Sequence, residues 1–345
     1  MVFVLQAFYL YDVIKFKDGF DLENGFSKEL KVSVIIPVYN ESENVDSLCR
    51  VLDEYAGSLS YALECIFVND GSSDDTLLKL REYAFENVFA KIVNLSRNYG
   101  SHAAIRAGFT LATAPYTMLF SGDLQEPVEL IDRLYQKATE GFEVVCVLRQ
   151  QQKDSAFSRL YARLIQKYAV PTFPRSGLNN FMIARNVLEI IRENAEANSS
   201  VFLQILNLGF KSTSIECMYN EREKGQSKWT LSKKIKLFVD SFIAFSFMPI
   251  RTISVFGFVL ALLGLLYALF IVVVKLFNLF AFQAGFPTII AVILIGFGLT
   301  NVSLGVIAEY LWRTLDASRH RPVFIIQNVF AVNPSSSEEG DAASG

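Results

Sequence analysis

Short apolar runs alternate with helical patterns between Val32 and Tyr219, and this alternation constrains the fold more than any other feature of the chain. The runs, taken in chain order, are Val32–Val38, Leu63–Val68, Lys91–Leu95, Tyr116–Phe120 and Val144–Leu148, with a further strand predicted at Thr213–Tyr219. Helices are predicted at Asn44–Tyr55, Asp74–Phe85, Ser155–Tyr168, Asn186–Ala197 and Val201–Leu208. Continuous apolar strands between helices are typical of a parallel sheet that is covered on both faces. The sequence therefore predicts an α/β domain built on a mainly parallel sheet.

Two of the predicted strands end in acidic loops. Val68–Asp74 begins at the end of the second strand, and Asp123–Gln125 follows the fourth. Ligands of open α/β sheets bind outside the carboxyl ends of the strands, where such loops meet. Carboxylates there suit a hard divalent cation and, through it, a diphosphate. The sequence therefore predicts a site for a nucleotide with its metal ion.

The last third of the chain has a different character. Hydrophobic residues make up 52% of the chain, and the excess lies after about residue 240. Thr252–Val274 and Thr288–Ala308 carry no charged residue, and each is long enough for the roughly 20 residues that cross a bilayer. Before them, Thr230–Met248 repeats apolar residues at steps of three and four with lysines on the other face. This pattern predicts an interfacial amphipathic helix followed by two transmembrane helices.

The flanking charges predict an orientation. Lysines and Arg251 precede the first uncharged run, three arginines follow the second, and the connecting loop offers only Lys275. The positive-inside rule then predicts a protein of the plasma (inner) membrane whose large N-terminal domain and both termini lie in the cytoplasm. Small residues form a seam on each run, which allows close helix packing and is compatible with a homo-oligomer.

Charge and cysteine content argue against other classes of protein. The formal charge of −3 gives no reason to expect nucleic-acid binding. The four cysteines are scattered without CxxC spacing, which is typical of buried, reduced thiols in a cytosolic domain. Met1–Leu5 lacks the basic start of a signal peptide, and we expect none. Residues 1–30 remain an unassigned extension, and the tail after about residue 333 is predicted to be disordered.

Several motifs resemble those of family 2 glycosyltransferases, which have the GT-A fold. Val34–Glu41, Val68–Asp74 and Asp123–Pro127 carry this resemblance. Arg222–Trp229, followed by two spans, is similar to the polyprenyl-phosphate branch, which includes dolichyl-phosphate mannose synthases and bactoprenol glucosyltransferases. Glu309–Arg313 also fits the C-terminal signature of that branch.

The resemblance covers roughly residues 32–325 and implies an organisation and an activity. The implied parts are a GT-A domain at 31–229, an interfacial helix at 230–249, two spans within 250–312 and a cytoplasmic segment at 313–345. The implied reaction is inverting transfer of a sugar, by default glucose from UDP-glucose, to a polyprenyl phosphate such as undecaprenyl phosphate. Its product would be a lipid-linked monosaccharide for cell-surface glycan modification, and its cofactor Mg²⁺ or Mn²⁺.

The resemblance also implies roles for individual residues. The nucleotide sugar would contact Pro37, Tyr39, Glu41, Asp70, Ser72, Arg97 and Gly122. Asp123 and Gln125 would bind the metal, and Arg222 and Lys228, together with Asp123, would act on the reacting phosphates. Two alternatives stay open at this point: Asp70 as a cap of the next helix, and the Arg222–Lys228 loop as a basic patch attracted to anionic lipid.

Two residues depart from the family pattern. Ser121 and Asn179 stand where the family usually has Asp. A missing carboxylate at Asn179 would damage an enzyme that deprotonates a sugar hydroxyl. It matters less for a phosphate monoester, whose second pKa near ~6 makes it a dianion near neutral pH. Two other functions remain open: a transferase that acts on a sugar hydroxyl, and a non-catalytic membrane scaffold that binds nucleotide sugars.

Overall fold

The computed structural model describes residues 28–150, 156–174, 178, 180–194, 199–219, 248–277, 285–319 and 321–332. Its strands are β1 (Leu30–Val38), β2 (Ala62–Asn69), β3 (Val88–Leu95), β4 (Tyr116–Leu119), β5 (Val144–Arg149), β6 (Asn180–Ala184), β7 (Ser212–Cys217) and β8 (Ile326–Val332). Its helices are α1 (Val45–Ser58), α2 (Thr76–Glu82), α3 (Ser101–Leu111), α4 (Leu130–Thr139), α5 (Ala156–Tyr168), α6 (Arg185–Glu193), α7 (Val201–Asn207), α8 (Met248–Leu276) and α9 (Phe286–Ser318).

These strands form one eight-stranded sheet in the order β7-β5-β6-β4-β1-β2-β3-β8. Parallel pairing joins β1 to β2 and β4, β2 to β3, and β5 to β7. Strand β6 runs antiparallel between β4 and β5, and β8 runs antiparallel along the outer edge of β3. The predicted α/β fold with a mainly parallel sheet is confirmed, and the antiparallel strands β6 and β8 are additions that the strand predictions did not include.

The central strands are mostly apolar because both faces of the sheet are covered. Along β1, Val34 and Ile36 pack into one buried cluster, while Ile35 packs into a second cluster on the opposite face. Every residue of β2 is buried. Side chains alternate between the two faces of a strand, so a strand that is buried on both faces shows an unbroken apolar run.

Strand β8 returns the end of the chain to the sheet. It pairs with β3 from Ala90 to Leu95, so that it covers an edge that would otherwise present unpaired backbone groups. The guanidinium of Arg81 lies 4.3 Å from the ring centre of Phe330, which packs β8 against the end of α2. The segment after the second long helix is therefore part of the α/β domain.

Helices α8 and α9 contain the two uncharged runs and are 29 and 33 residues long. They contact one another, and many of their large apolar side chains, such as Phe258 and Phe297, are exposed. Over the residues that the structure describes, no helix combines the length and the apolarity that a membrane crossing needs. The predicted interfacial helix lies almost entirely outside the described residues, as do residues 1–27 and the tail from 333.

Candidate functional site

The loops after β1 and β2 are bound to one another at the carboxyl edge of the sheet. The N–H of Asp70 donates to the carbonyl of Val38 at 2.9 Å. The N–H of Asn40 donates to the Ser72 hydroxyl at 2.9 Å, and the Asn40 side-chain oxygen accepts the N–H of Ser73 at 2.9 Å. Asn40 has a φ of 52°, a conformation that asparagine tolerates better than most residues. The structure therefore brings the predicted nucleotide residues of these two loops together.

Tyr39 and Glu41, in the loop after β1, have different surroundings. Tyr39 is exposed and Pro37 is half-buried, so the ring of Tyr39 is accessible to a base. Glu41 accepts the side-chain amide of Asn44 at 2.7 Å, and its backbone N–H donates to the Thr76 hydroxyl at 2.9 Å. Glu41 thus joins the start of α1 to the start of α2.

Asp70 holds the loop after β3. Its side chain is 4% exposed, and its two oxygens accept the backbone N–H groups of Tyr99 at 2.7 Å and Gly100 at 2.9 Å. Burial raises the pKa of Asp70, and the two N–H groups partly offset that rise. The first turn of α2 is instead bound by Asp74, which accepts the N–H and hydroxyl of Thr76. Asp70 is therefore not the cap of that helix, and its direct contact with a nucleotide stays a prediction.

Gly71 packs against the backbone of the same loop. Its φ is 66°, and a Cβ added to it would lie 2.4 Å from the carbonyl carbon of Arg97 and 2.6 Å from the nitrogen of Asn98. No side chain fits into that space, because the neighbouring atoms belong to the main chain. The approach of the β2 and β3 loops therefore depends on a glycine at this position.

Replacing Gly71 with Ala is expected to weaken UDP binding by at least about tenfold, because the clash separates the two loops that carry Ser72 and Arg97. The left-handed backbone adds a strain of about 1–2 kcal/mol. Gly209→Ala is the matched control, since Gly209 has a φ of 74° but no heavy atom within 4 Å of its added Cβ. Calorimetry of UDP binding and thermal unfolding of both variants measures the effect. Equal UDP affinities in the two variants would contradict it.

A chain of amides runs along this edge from the C-terminal strand. The Asn94 amide donates to the Gln327 side-chain oxygen at 3.2 Å, and the Asn69 amide donates to the Asn94 oxygen at 2.8 Å. The Asn69 oxygen in turn accepts the N–H of Ser72 at 3.3 Å. Strand β8 is therefore connected by hydrogen bonds to the loop that carries Asp70 and Ser72, a link that the sequence did not reveal.

The loop after β3 offers a cation. Arg97 is exposed, and its guanidinium carbon lies 4.4 Å from the ring centre of Tyr99, a cation–π arrangement that orients the guanidinium. His102, on the next helix, is half-buried and accepts the N–H of Val201 at the start of α7 at 3.4 Å. Burial lowers the pKa of His102 to about 4. Arg97 is thus available to an anion, whereas His102 is neutral at physiological pH.

The loop after β4 lies against the end of β1. A Cβ on Gly122 would lie 3.0 Å from a methyl carbon of Val38 and 3.3 Å from the carbonyl oxygen of Pro37. Asp123 is half-buried, and one of its oxygens accepts the side-chain amide of Gln125 at 2.6 Å. Gln125 therefore presents its N–H group, not its oxygen, to Asp123, and its role as a metal ligand stays a prediction.

The donor set in this loop fits a metal ion that arrives with its substrate. Across the described residues, no group of three or more His, Cys, Asp or Glu side chains is arranged to hold a metal ion. The Ser121–Gln125 segment offers one carboxylate on Asp123, a hydroxyl on Ser121 and an amide on Gln125. Mg²⁺ commonly binds proteins through one or two carboxylates, with waters and substrate phosphates supplying the other oxygens. Asp123 is suited to that kind of site.

Glu126 is the residue of this region that sequence analysis missed. It is 2% exposed and accepts the N–H of Ser121 at 3.0 Å, the side-chain amide of Asn180 at 2.8 Å and the hydroxyl of Tyr219 at 2.9 Å. Burial raises the pKa of Glu126, and these donors partly offset the rise. Arg149 lies over the Tyr219 ring, with its guanidinium carbon 5.1 Å from the ring centre. Glu126 belongs to the Asp123–Pro127 motif, but the family resemblance gave it no role of its own.

The remaining predicted residues lie outside the described part of the chain. Arg222 and Lys228 belong to 220–247, and Asn179 is also outside the described residues. Tyr219 is the last described residue before that loop. The structure thus brings together the loops that carry Pro37, Ser72, Arg97 and Asp123, while the roles of Arg222 and Lys228 stay predictions.

Comparisons with known proteins agree with this geometry. The family model described as "Glycosyl transferase family 2" matches residues 33–206. An undecaprenyl-phosphate 4-deoxy-4-formamido-L-arabinose transferase of Klebsiella pneumoniae (strain 342) is 35% identical over 319 residues, which cover 90% of this chain and 97% of that protein. An uncharacterized glycosyltransferase of Bacillus subtilis (strain 168), YkcC, is 31% identical over 311 residues, covering 89% of this chain and 96% of that protein.

A solved structure has a more distant likeness. The crystal structure of mannosyl-3-phosphoglycerate synthase from Rubrobacter xylanophilus superimposes with a TM-score of 0.46 and 13% sequence identity. The match covers 61% of this chain and 71% of that one. A likeness of this size carries no functional information.

Proposed function

The chain belongs to glycosyl transferase family 2, and from that premise we propose that it transfers a sugar from a nucleotide diphosphate sugar to the phosphate of a membrane polyprenol. The observation that carries this proposal is that the loops after β1, β2, β3 and β4 share one sheet edge, where the loop of Asp123 lies against the end of β1. The extent of the match supports the choice of acceptor, because it spans nearly the whole of a protein named for undecaprenyl phosphate.

In the proposed mechanism the donor lies across the four loops. Tyr39 and Ser72 hold the nucleoside, and the exposed guanidinium of Arg97 forms charge-assisted hydrogen bonds with the diphosphate. Asp123, with Ser121 and Gln125 beside it, would hold Mg²⁺ or Mn²⁺, which when bound supplies Lewis-acid stabilisation of the leaving diphosphate. These residues fix the sugar so that its anomeric carbon faces the acceptor.

The acceptor needs no strong general base in this mechanism. A phosphate monoester is largely a dianion near neutral pH, because its second pKa is near ~6. Its oxygen attacks the anomeric carbon from the side opposite the diphosphate, so that the configuration inverts. We assign Arg222 and Lys228 to the binding of this phosphate, because they flank a glycine just before the predicted interfacial helix.

Arg222→Ala and Lys228→Ala are each expected to raise the KM for polyprenyl phosphate by about tenfold or more while leaving membrane insertion intact. A charge-assisted hydrogen bond contributes about 1.5–3 kcal/mol, which supports this size of effect. Lys224→Ala is the matched control, because Lys224 lies in the same loop and carries the same charge. If the loop acted only as a basic patch attracted to anionic lipid, the three variants would show the same change in KM. Equal kinetics in all three, at subsaturating lipid phosphate, would contradict the assignment.

Over the described residues no helix is apolar enough to cross a membrane, but from the uncharged runs of the full sequence we further propose that α8 and α9 anchor the enzyme in the bacterial inner membrane, with the α/β domain and both termini in the cytoplasm. The uncharged runs within these helices, the exposed apolar side chains on them and the basic residues at their outer ends support this placement. Strand β8 adds a constraint, because it joins the segment after α9 to the sheet. The segment that follows α9 and the catalytic sheet therefore lie on the same side.

Labelling with a membrane-impermeant thiol reagent in intact cells tests this topology. A cysteine introduced by Gln283→Cys is expected to react, whereas one introduced by Ser337→Cys is expected to react only after the cells are permeabilised. The four native cysteines are buried, so background labelling is low. Reaction at position 337 but not at 283 in intact cells would reverse the proposed orientation.

The sugar is the least constrained part of the proposal. The family resemblance implies UDP-glucose as a default donor, while the names of several relatives specify a formamido-arabinose group. We propose a UDP-linked sugar and leave its identity to a direct assay. The altered positions Ser121 and Asn179 make a modified sugar worth including in that assay.

The test uses membranes with labelled sugar nucleotides and undecaprenyl phosphate, followed by lipid extraction. The panel contains UDP-glucose, UDP-4-deoxy-4-formamido-L-arabinose, a GDP-sugar and a dTDP-sugar. A lipid-linked monosaccharide from one UDP-sugar supports the proposal. A polymer would instead indicate transfer to a sugar hydroxyl, and the absence of any product would favour a non-catalytic scaffold.

A further inference from the structure

Glu126 receives hydrogen bonds from three separate segments of the chain. Ser121 lies at the start of the β4 loop, Asn180 is the first residue of β6, and Tyr219 follows β7. These bonds join residues that are 5, 54 and 93 positions from Glu126 in the sequence. The two bonds from Asn180 and Tyr219 therefore tie the β4 loop to the ends of β6 and β7.

A carboxylate is suited to this position because it accepts without donating. An ionised carboxylate has about four acceptor positions on two oxygens, whereas a glutamine has one oxygen and brings two N–H groups of its own. In Glu126, one oxygen accepts from Ser121 and Asn180 while the other accepts from Tyr219. Burying a carboxylate is costly unless hydrogen bonds compensate, so a buried acid with three donors indicates a position where geometry matters.

The segment that Glu126 closes contains the proposed metal site. The bond from Ser121 N–H to Glu126 joins the two ends of the loop, with Asp123 and Gln125 between them. Ser121 and Asp123 occupy the two positions where the family usually has its acidic pair. Because only Asp123 retains a carboxylate, the position of this one ligand depends on the loop that presents it.

We propose that Glu126 is a positioning residue that fixes the Ser121–Gln125 loop against the ends of β6 and β7, so that Asp123 is held where the metal–diphosphate binds. This inference rests on the proposed function only in that the donor is a nucleotide diphosphate bound with a metal ion. Residues that orient metal ligands commonly change metal affinity or activity by about 10–100-fold when they are replaced.

Calorimetry of UDP binding to the purified full-length protein, with Mn²⁺ and again in EDTA, tests the proposal. Glu126→Ala is expected to weaken the UDP affinity measured with Mn²⁺ by about tenfold and to leave the affinity in EDTA unchanged. Tyr219→Phe removes one of the three hydrogen-bond donors to Glu126 and should weaken the UDP affinity measured with Mn²⁺ by about threefold. In the Glu126→Ala background, Tyr219→Phe should add nothing further, because the two side chains act through one contact.

Asp53→Ala is the matched control. Asp53 is a buried carboxylate, 6% exposed, that accepts the backbone N–H groups of Glu86 and Asn87 just before β3, at the opposite edge of the sheet. Its loss should lower the thermal midpoint without changing the UDP affinity under either condition. A purely structural role for Glu126 would give the same pattern as Asp53→Ala and would overturn the proposal.

Two further outcomes are distinguishable. If Glu126→Ala does not fold, Glu126→Gln tests the proposal instead. Because glutamine keeps one acceptor oxygen, Glu126→Gln should lose less of the Mn²⁺-dependent UDP affinity than Glu126→Ala. An unchanged affinity in Glu126→Gln would overturn the proposal. The readout is independent of the acceptor. A wild-type protein that forms no lipid-linked sugar would defeat the proposed function, while the Mn²⁺-dependent loss in Glu126→Ala would still support the positioning role.

Discussion

Replacing Asp123 with Asn is expected to lower the rate of sugar transfer at least ~10²-fold. Asp123 is the one carboxylate of the Ser121–Gln125 segment, and an amide at this position carries no charge to balance a divalent ion. Metal stabilisation of a developing negative charge is worth several kcal/mol, and each 1.36 kcal/mol is a factor of ten in rate. Because Asn has nearly the same shape as Asp, the thermal midpoint should change little. Initial rates at saturating donor, across a Mn²⁺ titration, measure the effect.

Ser121→Asp is the companion variant. It restores the acidic pair that the family usually has, and a second carboxylate should strengthen metal binding in the absence of nucleotide. We expect the variant to keep its activity and to reach half-maximal rate at a lower metal concentration than the wild type. The wild type, with one carboxylate, should bind metal weakly until UDP is present, and calorimetry with and without UDP distinguishes the two. Full wild-type activity in EDTA, or in Asp123→Asn, would rule out a metal site at Asp123.

The parallel core of the fold was predictable because its signal lies in short stretches of sequence. Strands such as β1 and β2 are mostly apolar since both of their faces are buried, and each predicted strand falls within a few residues of an observed one. Strand β6 was missed because its neighbours are β4 and β5, so its position depends on tertiary pairing. Strand β8 was missed for the same reason: its residue Gln327 bonds to Asn94, 233 positions away.

The sequence predicted which loops form the candidate site, but not which contacts each side chain makes within it. A parallel sheet brings the carboxyl ends of its strands to one edge, and the loops that carry Ser72, Arg97 and Asp123 do follow neighbouring strands at that edge. It did not indicate that both oxygens of Asp70 are taken by backbone N–H groups of the β3 loop. Nor did it indicate Glu126, whose partners come from distant segments. Contacts of this kind follow from register and burial, which no local pattern encodes.

Another buried acidic residue, Glu64, lies toward the opposite edge of the sheet, where we expect it to act on stability alone. Glu64 is fully buried and accepts the Lys91 ammonium at 2.5 Å, the Ser33 hydroxyl, and both the N–H and the hydroxyl of Thr113 at 2.8 Å. Lys91 also donates to the carbonyl of Leu111 at 3.1 Å. The ion pair therefore joins β2 to β3 and to the segment between α3 and β4.

Glu64→Gln is expected to lower the free energy of unfolding by about 3–5 kcal/mol, because it leaves the buried Lys91 ammonium without its anion. For a domain of this size the thermal midpoint should fall by about 10 °C. The double variant Glu64→Gln/Lys91→Met removes both charges and should recover most of the loss, since a buried ion pair can be replaced by neutral groups at little cost.

Thermal unfolding in detergent, followed by circular dichroism, compares the wild type with the single and the double variant. Sugar transfer per folded molecule should stay at the wild-type level in all of them, because this edge is remote from Asp123. A double variant no more stable than Glu64→Gln would mean that the stability comes from packing and hydrogen bonds rather than from charge pairing.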